Sequence, residues 1–247
     1  MKPNFKYIGH RGTRVGFDEN TIGAFEKVIE YGANYLEFDV QKTKDGKLII
    51  LHDNSLERTT NGSGLLREYT YQEIKTLKTK KKRVQIPNLA DVLDILKGKT
   101  NFIIELKGEN VTNELLNLVN KKDLINDCIF SGRCFRDLLS IKLNYPECKI
   151  CYNITKGRDI TLEKFMKLGM ENKLSEKPDL ISLKSNLITS QFIDICHNNN
   201  ILTLSWDFLN YKNALDKIKS LVNMGIDGIL FDNYKNIPII KQWVERD

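Results

Sequence analysis

The feature that most constrains the fold is the regular alternation of short β-rich apolar runs with amphipathic helical patterns. Eight runs are candidate strands, at residues 7–9, 36–40, 102–106, 128–130, 149–152, 180–183, 202–205 and 228–231. Helical patterns lie between most of them, at residues 21–30, 135–143, 161–168, 190–197 and 211–222. Alternating strands and helices indicate a parallel sheet, and eight repeats in 247 residues favour closure. The sequence therefore predicts an α/β fold, a TIM (β/α)8 barrel.

One stretch interrupts the alternation, because about 60 residues separate the second and third predicted strands, roughly twice an ordinary unit. The stretch opens with Asp45-Gly46 between apolar runs, which is a strong hairpin signal. We expect the second strand to leave the barrel there and to return over residues 47–52. Helical patterns follow at residues 71–77 and 89–96. We therefore expect a single domain over residues 1–247, with an insertion at about 54–88 above the barrel mouth.

The composition is that of a soluble globular protein, with 41% hydrophobic residues. The apolar runs fall far short of the roughly 20 residues that cross a membrane. The first residues contain no apolar stretch of the kind that forms a signal peptide. We expect a cytoplasmic protein, monomeric or homodimeric, without stable membrane insertion.

Two local patterns have ordinary explanations. Cys148 and Cys151 form a C-x-x-C that could be half a zinc site or a redox pair, but no second pair or nearby histidine accompanies them. We expect reduced, buried thiols. The basic run at residues 78–83 could bind nucleic acid, yet no aromatic residues interleave its lysines for base stacking. We expect a solvated loop and no nucleic-acid partner, and the net charge of +6 suggests an anionic partner only weakly.

Polar residues are concentrated where the first three predicted strands end. The ends carry three pairs: His10 and Arg11, then Glu37 and Asp39, then Glu105 and Lys107. In barrel enzymes the reactive groups lie at the carboxyl ends of the strands. Residues two apart point to one face of a strand, so Glu37 lies beside Asp39, and Glu105 beside Lys107.

The hairpin predicts the position of a second histidine. If Asp45-Gly46 is a two-residue turn, His52 lies directly opposite Asp39, with Cβ atoms about 5 Å apart. This register would bring His52 together with His10 and the three carboxylates. A slip of one residue would turn His52 to the other face.

These residue types together suit phosphodiester cleavage. Three carboxylates without a cysteine favour one hard divalent cation, Mg2+ or Ca2+, which would neutralise charge on a phosphate. Arg11 and Lys107 would add fixed positive charge, and two histidines can act as general acid and base near neutral pH. Each residue could instead be structural, for example a buried Glu37–Lys107 ion pair, but their joint occurrence at one mouth favours catalysis. His197 lies late on a helix, and we expect it to be structural.

At these residues the sequence resembles the glycerophosphodiester phosphodiesterase family. The matching segments occur in the family's order: Gly9-His10-Arg11-Gly12, Glu19-Asn20-Thr21, Ala24-Phe25, Gly32-Ala33, Glu37-Phe38-Asp39-Val40, Thr43-Lys44-Asp45-Gly46, His52-Asp53, Arg58-Thr59-Thr60, Gly64, Ile86-Pro87-Asn88-Leu89, Glu105-Leu106-Lys107, Trp206, Gly225-Ile226-Asp227-Gly228 and Asp232. They cover almost the whole chain, and the match is more specific in the N-terminal half.

The resemblance implies metal-dependent hydrolysis of glycerophosphodiesters to sn-glycerol 3-phosphate and an alcohol. Glu37, Asp39 and Glu105 would bind the metal, and His10 and His52 would be the acid–base pair. It also implies that Arg11 and Lys107 bind phosphate and that Trp206 faces the glycerol or the departing alcohol. In this family the substrate's own hydroxyl can attack phosphorus to give a cyclic phosphate, which water then opens.

The chain departs from the family pattern at Asp18, Asp207 and Phe231, and we expect these residues at the far wall of the substrate pocket. Lys184 could meet an anionic headgroup there or face solvent. An alternative function is a phospholipase D-like lyase that acts on lysophospholipids and releases a cyclic phosphate. A non-catalytic phosphodiester sensor is a further alternative, which the complete set of site residues disfavours.

Overall fold

A computed structural model of the protein describes residues 4–108 and 110–246. Its strands are β1 (Lys6–His10), β2 (Tyr35–Lys42), β3 (Leu48–Ile50), β4 (Asn101–Leu106), β5 (Cys128–Gly132), β6 (Lys149–Asn153), β7 (Leu180–Lys184), β8 (Leu202–Trp206) and β9 (Gly228–Phe231). Its α-helices are α1 (Ile22–Glu30), α2 (Tyr71–Thr76), α3 (Leu89–Leu96), α4 (Thr112–Lys121), α5 (Phe135–Asn144), α6 (Leu162–Met170), α7 (Ser190–Asn198), α8 (Ala214–Asn223) and α9 (Asn236–Arg246).

Eight of these strands close into a parallel barrel. The sheet runs in the order β1-β9-β8-β7-β6-β5-β4-β2, and β1 also pairs with β2. All eight predicted barrel strands are present, most of them a residue or two longer than predicted. The predicted TIM barrel is therefore confirmed. The alternation does not predict α4 and α9. Pro238 lies in the first turn of α9, where a backbone N–H would have no hydrogen-bond partner within the helix, so proline is tolerated there.

The strand pleat separates two apolar cores. Outward-facing residues such as Phe38, Phe102 and Phe130 pack with the helices, for example against Phe25 of α1. Inward-facing residues form a second cluster inside the barrel: Ile8, Ile103, Ile129, Cys151, Leu180, Leu204 and Leu230. Because side chains alternate along a strand, the residue two positions after each of these also points inward, but nearer the carboxyl end. This inward-facing cluster, called here the apolar plug, thus forms the floor of the barrel mouth, and the mouth itself is lined by polar residues.

The predicted register of the hairpin is wrong by one residue. Val40 pairs with Ile50, and Leu51, rather than His52, donates its N–H to the Asp39 carbonyl (3.1 Å). The turn has three residues instead of two, because Gly46 adopts a left-handed φ of 81° and donates to the Thr43 carbonyl (3.0 Å). The Thr43 hydroxyl accepts a further hydrogen bond from the N–H of Lys47 (2.9 Å).

His52 nevertheless reaches the barrel mouth. Regular pairing stops at Ile50, and the chain bends over residues 52–54 instead of continuing as a strand. Because His52 is not part of a strand, the alternation of strand faces does not determine where its side chain points. The residues that follow form the insertion, and its Leu56, Leu66, Ile74 and Ile86 pack in one apolar cluster with Ile49 and Leu51 of the hairpin.

Two of the family departures do not lie at the far wall of a pocket, contrary to expectation. The Asp18 carboxylate accepts hydrogen bonds from the Thr79 hydroxyl (2.8 Å) and from the N–H groups of Lys81 (3.2 Å) and Lys82 (2.7 Å). It therefore fixes the backbone of the basic run. Phe231 points outward into the core and stacks on Tyr7, because its neighbours on β9 occupy the inward positions.

The cysteines are unpaired thiols. All five are free, and Cys128, Cys148, Cys151 and Cys196 are buried. Burial raises the pKa of Cys148 to about 11 and that of Cys151 to about 12, which makes both thiols poor nucleophiles and poor metal ligands. Among residues 4–108 and 110–246, no helix combines the length and apolarity needed to cross a membrane.

Candidate active site

The barrel register brings inward-facing polar residues of three strands side by side. His10 at the end of β1 pairs with Glu37 of β2, and Asp39 of β2 pairs with Glu105 of β4. All four side chains point into the mouth above the apolar plug and are at most 8% exposed. Their positions follow from strand pairing alone, so the rigid barrel holds them in place.

Glu37, Asp39 and Glu105 form a cluster of buried carboxylates. Each offers an oxygen atom that lies within 4.8 Å of the corresponding atoms of the other two. Burial and the neighbouring carboxylates of Asp39 and Glu105 raise the pKa of Glu37 well above its usual range. An all-oxygen donor set and unrelieved negative charge fit a hard divalent cation. The three residues could therefore hold Mg2+ or Ca2+.

Arg11 and Lys107 flank this cluster with fixed positive charge. The Lys107 ammonium lies 2.6 Å from Glu105 Oε1 and 3.2 Å from Asp39 Oδ1, and Arg11 Nε lies 3.2 Å from Asp39 Oδ2. Burial opposes ionisation of Asp39, but Lys107 and Arg11 together hold its pKa below the usual range. The Asn20 amide also donates to Asp39 Oδ2 (2.9 Å). Asp39 is therefore ionised, as a cation ligand must be.

The turn after β1 aims its backbone at the cluster. Arg11 and Gly12 both have left-handed φ angles, 51° and 72°. In this conformation the Arg11 N–H donates to Glu37 Oε2 (2.8 Å). A Cβ atom at position 12 would lie 2.8 Å from the Ala24 carbonyl carbon, so glycine is required where the chain crosses α1.

Each predicted catalytic histidine is paired with an aspartate. Nδ1 of His10 lies 2.8 Å from Asp232, and Nδ1 of His52 lies 2.5 Å from Asp53. A carboxylate on Nδ1 fixes the ring and directs Nε2 away from that carboxylate. Burial, together with Arg11 and Lys107, lowers the pKa of His52 despite the opposing effect of Asp39. The pairing is suited to proton transfer by Nε2.

A network of arginines ties the insertion to the barrel. Arg58 of the insertion donates to Asp53 and also to Glu19 Oε1 (2.6 Å). Glu19 in turn accepts from Arg11 (2.8 Å) and Arg14 (3.2 Å). Burial opposes ionisation of Glu19, but Arg58 and Arg11 lower its pKa to about 2. His52 is thus connected through Asp53, Arg58 and Glu19 to the turn that carries Arg11.

Trp206 closes the mouth on the side of β8. Its ring lies 6.3 Å from the ring of His10 in an edge-to-face arrangement. Within the described part of the chain, its buried Nε1 has no hydrogen-bond partner, and neither does Oδ1 of Asn153 on β6. Both residues line the mouth together with Ser131 and Ser182. Buried polar atoms without partners at an open mouth are typical of a ligand site.

The structure brings together all eight predicted site residues: His10, Arg11, Glu37, Asp39, His52, Glu105, Lys107 and Trp206. His197 lies elsewhere, where Nε2 contacts Asp227 (2.8 Å) before β9, in keeping with the structural role expected of it. Lys184 pairs with Asp207 (3.0 Å) at the ends of β7 and β8.

The sequence reasoning assigned no role to several residues that complete the site. Asp232 directly follows β9, so the same rule of strand ends identifies it when applied to the eighth barrel strand. Asp53 is the neighbour of His52 in sequence. Arg58 and Glu19 are 39 residues apart, and no local pattern in the sequence indicates their contact.

Comparison with known proteins shows the family of the chain. Residues 10–236 match the sequence model of the glycerophosphoryl diester phosphodiesterase family. A glycerophosphodiester phosphodiesterase of Caldanaerobacter subterraneus is 29% identical over 239 residues, which cover 92% of this chain and 93% of that protein.

Two solved structures share the fold over nearly the whole chain. The glycerophosphodiester phosphodiesterase of Agrobacterium tumefaciens superposes with a TM-score of 0.76 at 22% identity, covering 95% of this chain and 99% of that one. A phosphodiesterase of Oleispira antarctica superposes with a TM-score of 0.80 at 22% identity, covering 97% and 96%.

The carboxylate cluster predicts a specific response to cations. Mg2+ or Ca2+ should raise the Tm of the wild-type protein, because a ligand that binds only the folded state stabilises it. Glu37→Gln should abolish that rise. The Glu37→Gln substitution should not lower the Tm of the cation-free protein at neutral pH. The pKa of Glu37 is raised in the folded protein, so the ionised carboxylate destabilises the folded state, and its removal costs no stability.

The matched control is Glu26→Gln, which removes the same charge from the exposed face of α1 and should keep the full rise in Tm. Differential scanning calorimetry with and without each cation measures all three proteins. An equal rise in Tm for Glu37→Gln and wild type would place the cation elsewhere.

Proposed function

Since the chain belongs to the glycerophosphoryl diester phosphodiesterase family, a family of phosphoric diester hydrolases, we propose that it hydrolyses glycerophosphodiesters to sn-glycerol 3-phosphate and an alcohol. The observation that carries the proposal is the buried carboxylate cluster with a histidine–aspartate pair contributed from either side. The Oleispira antarctica structure is a complex with sn-glycerol-3-phosphate, described there as the product.

Glu37, Asp39 and Glu105 would hold one divalent cation, Mg2+ or Ca2+. When bound, the cation supplies positive charge to a phosphate oxygen. Arg11 and Lys107, which already contact the cluster, bind the remaining phosphate oxygens and stabilise the charge that develops on them.

His10 and His52 move the protons of the reaction. One imidazole accepts the proton of the attacking hydroxyl, from the substrate or from water, as a new P–O bond forms. The other donates a proton to the departing alkoxide as its P–O bond breaks, so that the alcohol leaves neutral. Asp232 and Asp53 hold the two rings through Nδ1 and stabilise each imidazolium when it forms.

Trp206 positions the organic part of the substrate. Its ring offers an apolar surface beside His10, and its buried Nε1 lacks a partner among the described residues. An indole N–H of this kind can donate to a hydroxyl of the glycerol or of the departing alcohol. We therefore propose that Trp206 binds the substrate next to the scissile bond.

The surroundings of the mouth favour small diesters over lysophospholipids. A lysophospholipid carries an acyl chain, which gains free energy only from apolar surface. The cavity beside His52 and Lys107 is lined mainly by polar and charged side chains. This lining supports a small phosphodiester, rather than a lysophospholipid, as the substrate.

Three histidine variants test the assignment. Removing a general acid or base lowers turnover by about 100- to 10,000-fold, so His10→Ala and His52→Ala should each lose at least two orders of magnitude in kcat. The matched control is His197→Ala, which removes the remaining histidine and should keep wild-type kcat. Release of sn-glycerol 3-phosphate from glycerophosphocholine measures all three. Near-normal turnover by a folded His10→Ala or His52→Ala variant would contradict the proposed roles.

The role of Asp53 predicts a shift in a titration. In the cation-free protein, His52 should titrate below the usual value of about 6.5 for histidine. Asp53→Asn should lower the pKa of His52 further, because the lost carboxylate stabilises the imidazolium, and it should lower kcat because the ring loses its orientation. Proton NMR of the three histidine rings measures the titration, with His197 as internal reference. An unchanged pKa would show that Asp53 does not hold His52.

A further inference from the structure

A groove extends from the catalytic mouth across the rim formed by β2, β4, β5 and β6. One cavity of about 390 Å3 is lined by His52, Lys107, Arg133 and Arg158, among others. A neighbouring cavity of about 460 Å3 is lined by Lys42, Lys44 and Arg67 and shares Lys107 and Arg158 with the first. Since the two cavities share part of their walls, they are adjacent, and together they are called here the basic groove.

The basic groove is strongly positive. Six of its described lining residues carry a positive charge: Lys42, Lys44, Arg67, Lys107, Arg133 and Arg158. Two of its described lining residues, Asp53 and Asp137, are carboxylates. Asp53 is already engaged by His52 and Arg58. Three of the six cations have carboxylate partners: Lys42 pairs with Glu114 (3.0 Å), and Lys107 (2.6 Å) and Arg133 (3.8 Å) lie near Glu105. Lys44, Arg67 and Arg158 form no ion pair with the described residues, so an excess of positive charge remains.

Arg133 joins the basic groove to the catalytic mouth. It directly follows β5 and lines both the mouth and the cavity beside His52. Its Nε is buried 3.8 Å from Glu105 Oε1 and has no hydrogen-bond partner in the part of the chain that the structure describes. The Arg133 carbonyl accepts from the N–H of Arg158 (2.8 Å), which fixes the two arginines side by side.

The position of the basic groove relative to the cluster defines what it can bind. A phosphate held by Arg11 and Lys107 has Trp206 on one side and the groove beyond Lys107 on the other. One substituent of the diester therefore extends along Arg133 and Arg158. An excess of positive charge in this position favours an anionic alcohol over a cationic one such as choline.

We propose that the basic groove is the subsite of the departing alcohol and that it selects diesters whose alcohol carries a phosphate of its own. The inference rests on the proposed function, because it assumes that a phosphodiester is cleaved at the carboxylate cluster. Arg158 and Arg133 contact the second phosphate, and Lys44 and Arg67 extend the positive charge outward. The second phosphate adds binding energy without taking part in the chemistry.

Two substrates that differ by one group test the proposal. Glycerophosphoglycerol is compared with the same diester bearing a terminal phosphate monoester. The wild-type enzyme should have a kcat/KM at least about tenfold higher for the phosphorylated diester, the gain expected from one or two charged contacts. This preference should shrink as ionic strength rises, since salt screens charges at an open groove.

Arg158→Gln should reduce the preference about tenfold, mainly through KM for the phosphorylated diester. The matched control is Lys99→Gln, which removes one positive charge from the exposed turn before β4, at the opposite end of the barrel, and should keep the wild-type preference.

Equal kcat/KM for the two diesters in the wild-type enzyme, or a full preference in Arg158→Gln, would overturn the proposal while leaving the proposed function intact. Cleavage of neither diester in the presence of Mg2+ or Ca2+ would overturn both. An equal loss of the preference in Arg158→Gln and Lys99→Gln would show that the overall charge of the protein causes the preference. That result would also overturn the proposed subsite.

Discussion

The structure depends on the close approach of three buried carboxylates at the mouth of a rigid barrel. Parallel pairing of β1, β2 and β4 forces Glu37, Asp39 and Glu105 together, and burial makes their mutual repulsion expensive. Arg11 and Lys107 offset part of this repulsion, and the raised pKa of Glu37 reflects the remainder. A divalent cation would remove it. The same charges that make the cluster unfavourable without a ligand would thus give the proposed site its affinity for a cation and, through that cation, for phosphate.

The insertion completes the proposed site, because the barrel strands provide one of the two histidines that the proposed reaction requires. His10 is held by Asp232 across β1 and β9, entirely within the barrel. His52 comes from outside the barrel and depends on Asp53 and Arg58 for its position. The contact between Arg58 and Glu19 fastens the insertion to the turn that carries Arg11. In the proposed mechanism, Glu19 would therefore link the phosphate-binding Arg11 to the histidine of the second proton transfer.

Much of the fold and of the site could be predicted because both follow from short-range periodicity. The alternation of strands and helices gives the eight barrel strands, and their carboxyl ends give His10, Glu37, Asp39 and Glu105. The register of the hairpin could not be predicted, since it depends on the left-handed Gly46 and on the Thr43 hydroxyl. His52 lies at the site because strand pairing ends at Ile50, and not because it lies opposite Asp39 in the hairpin, as predicted from the sequence. The Arg58–Glu19 contact and the basic groove arise from tertiary packing, which no local pattern encodes.

Phosphorus NMR of glycerophosphoglycerol incubated with the wild-type protein tests the central claim most directly, because it follows the substrate, a cyclic phosphate and the phosphomonoester at once. With Mg2+ or Ca2+ present, the account predicts loss of the diester resonance and growth of the sn-glycerol 3-phosphate resonance, and no change once the cation is chelated. A diester resonance that persists with either cation, or that disappears equally fast under chelation, would contradict the claim that this carboxylate cluster drives phosphodiester hydrolysis.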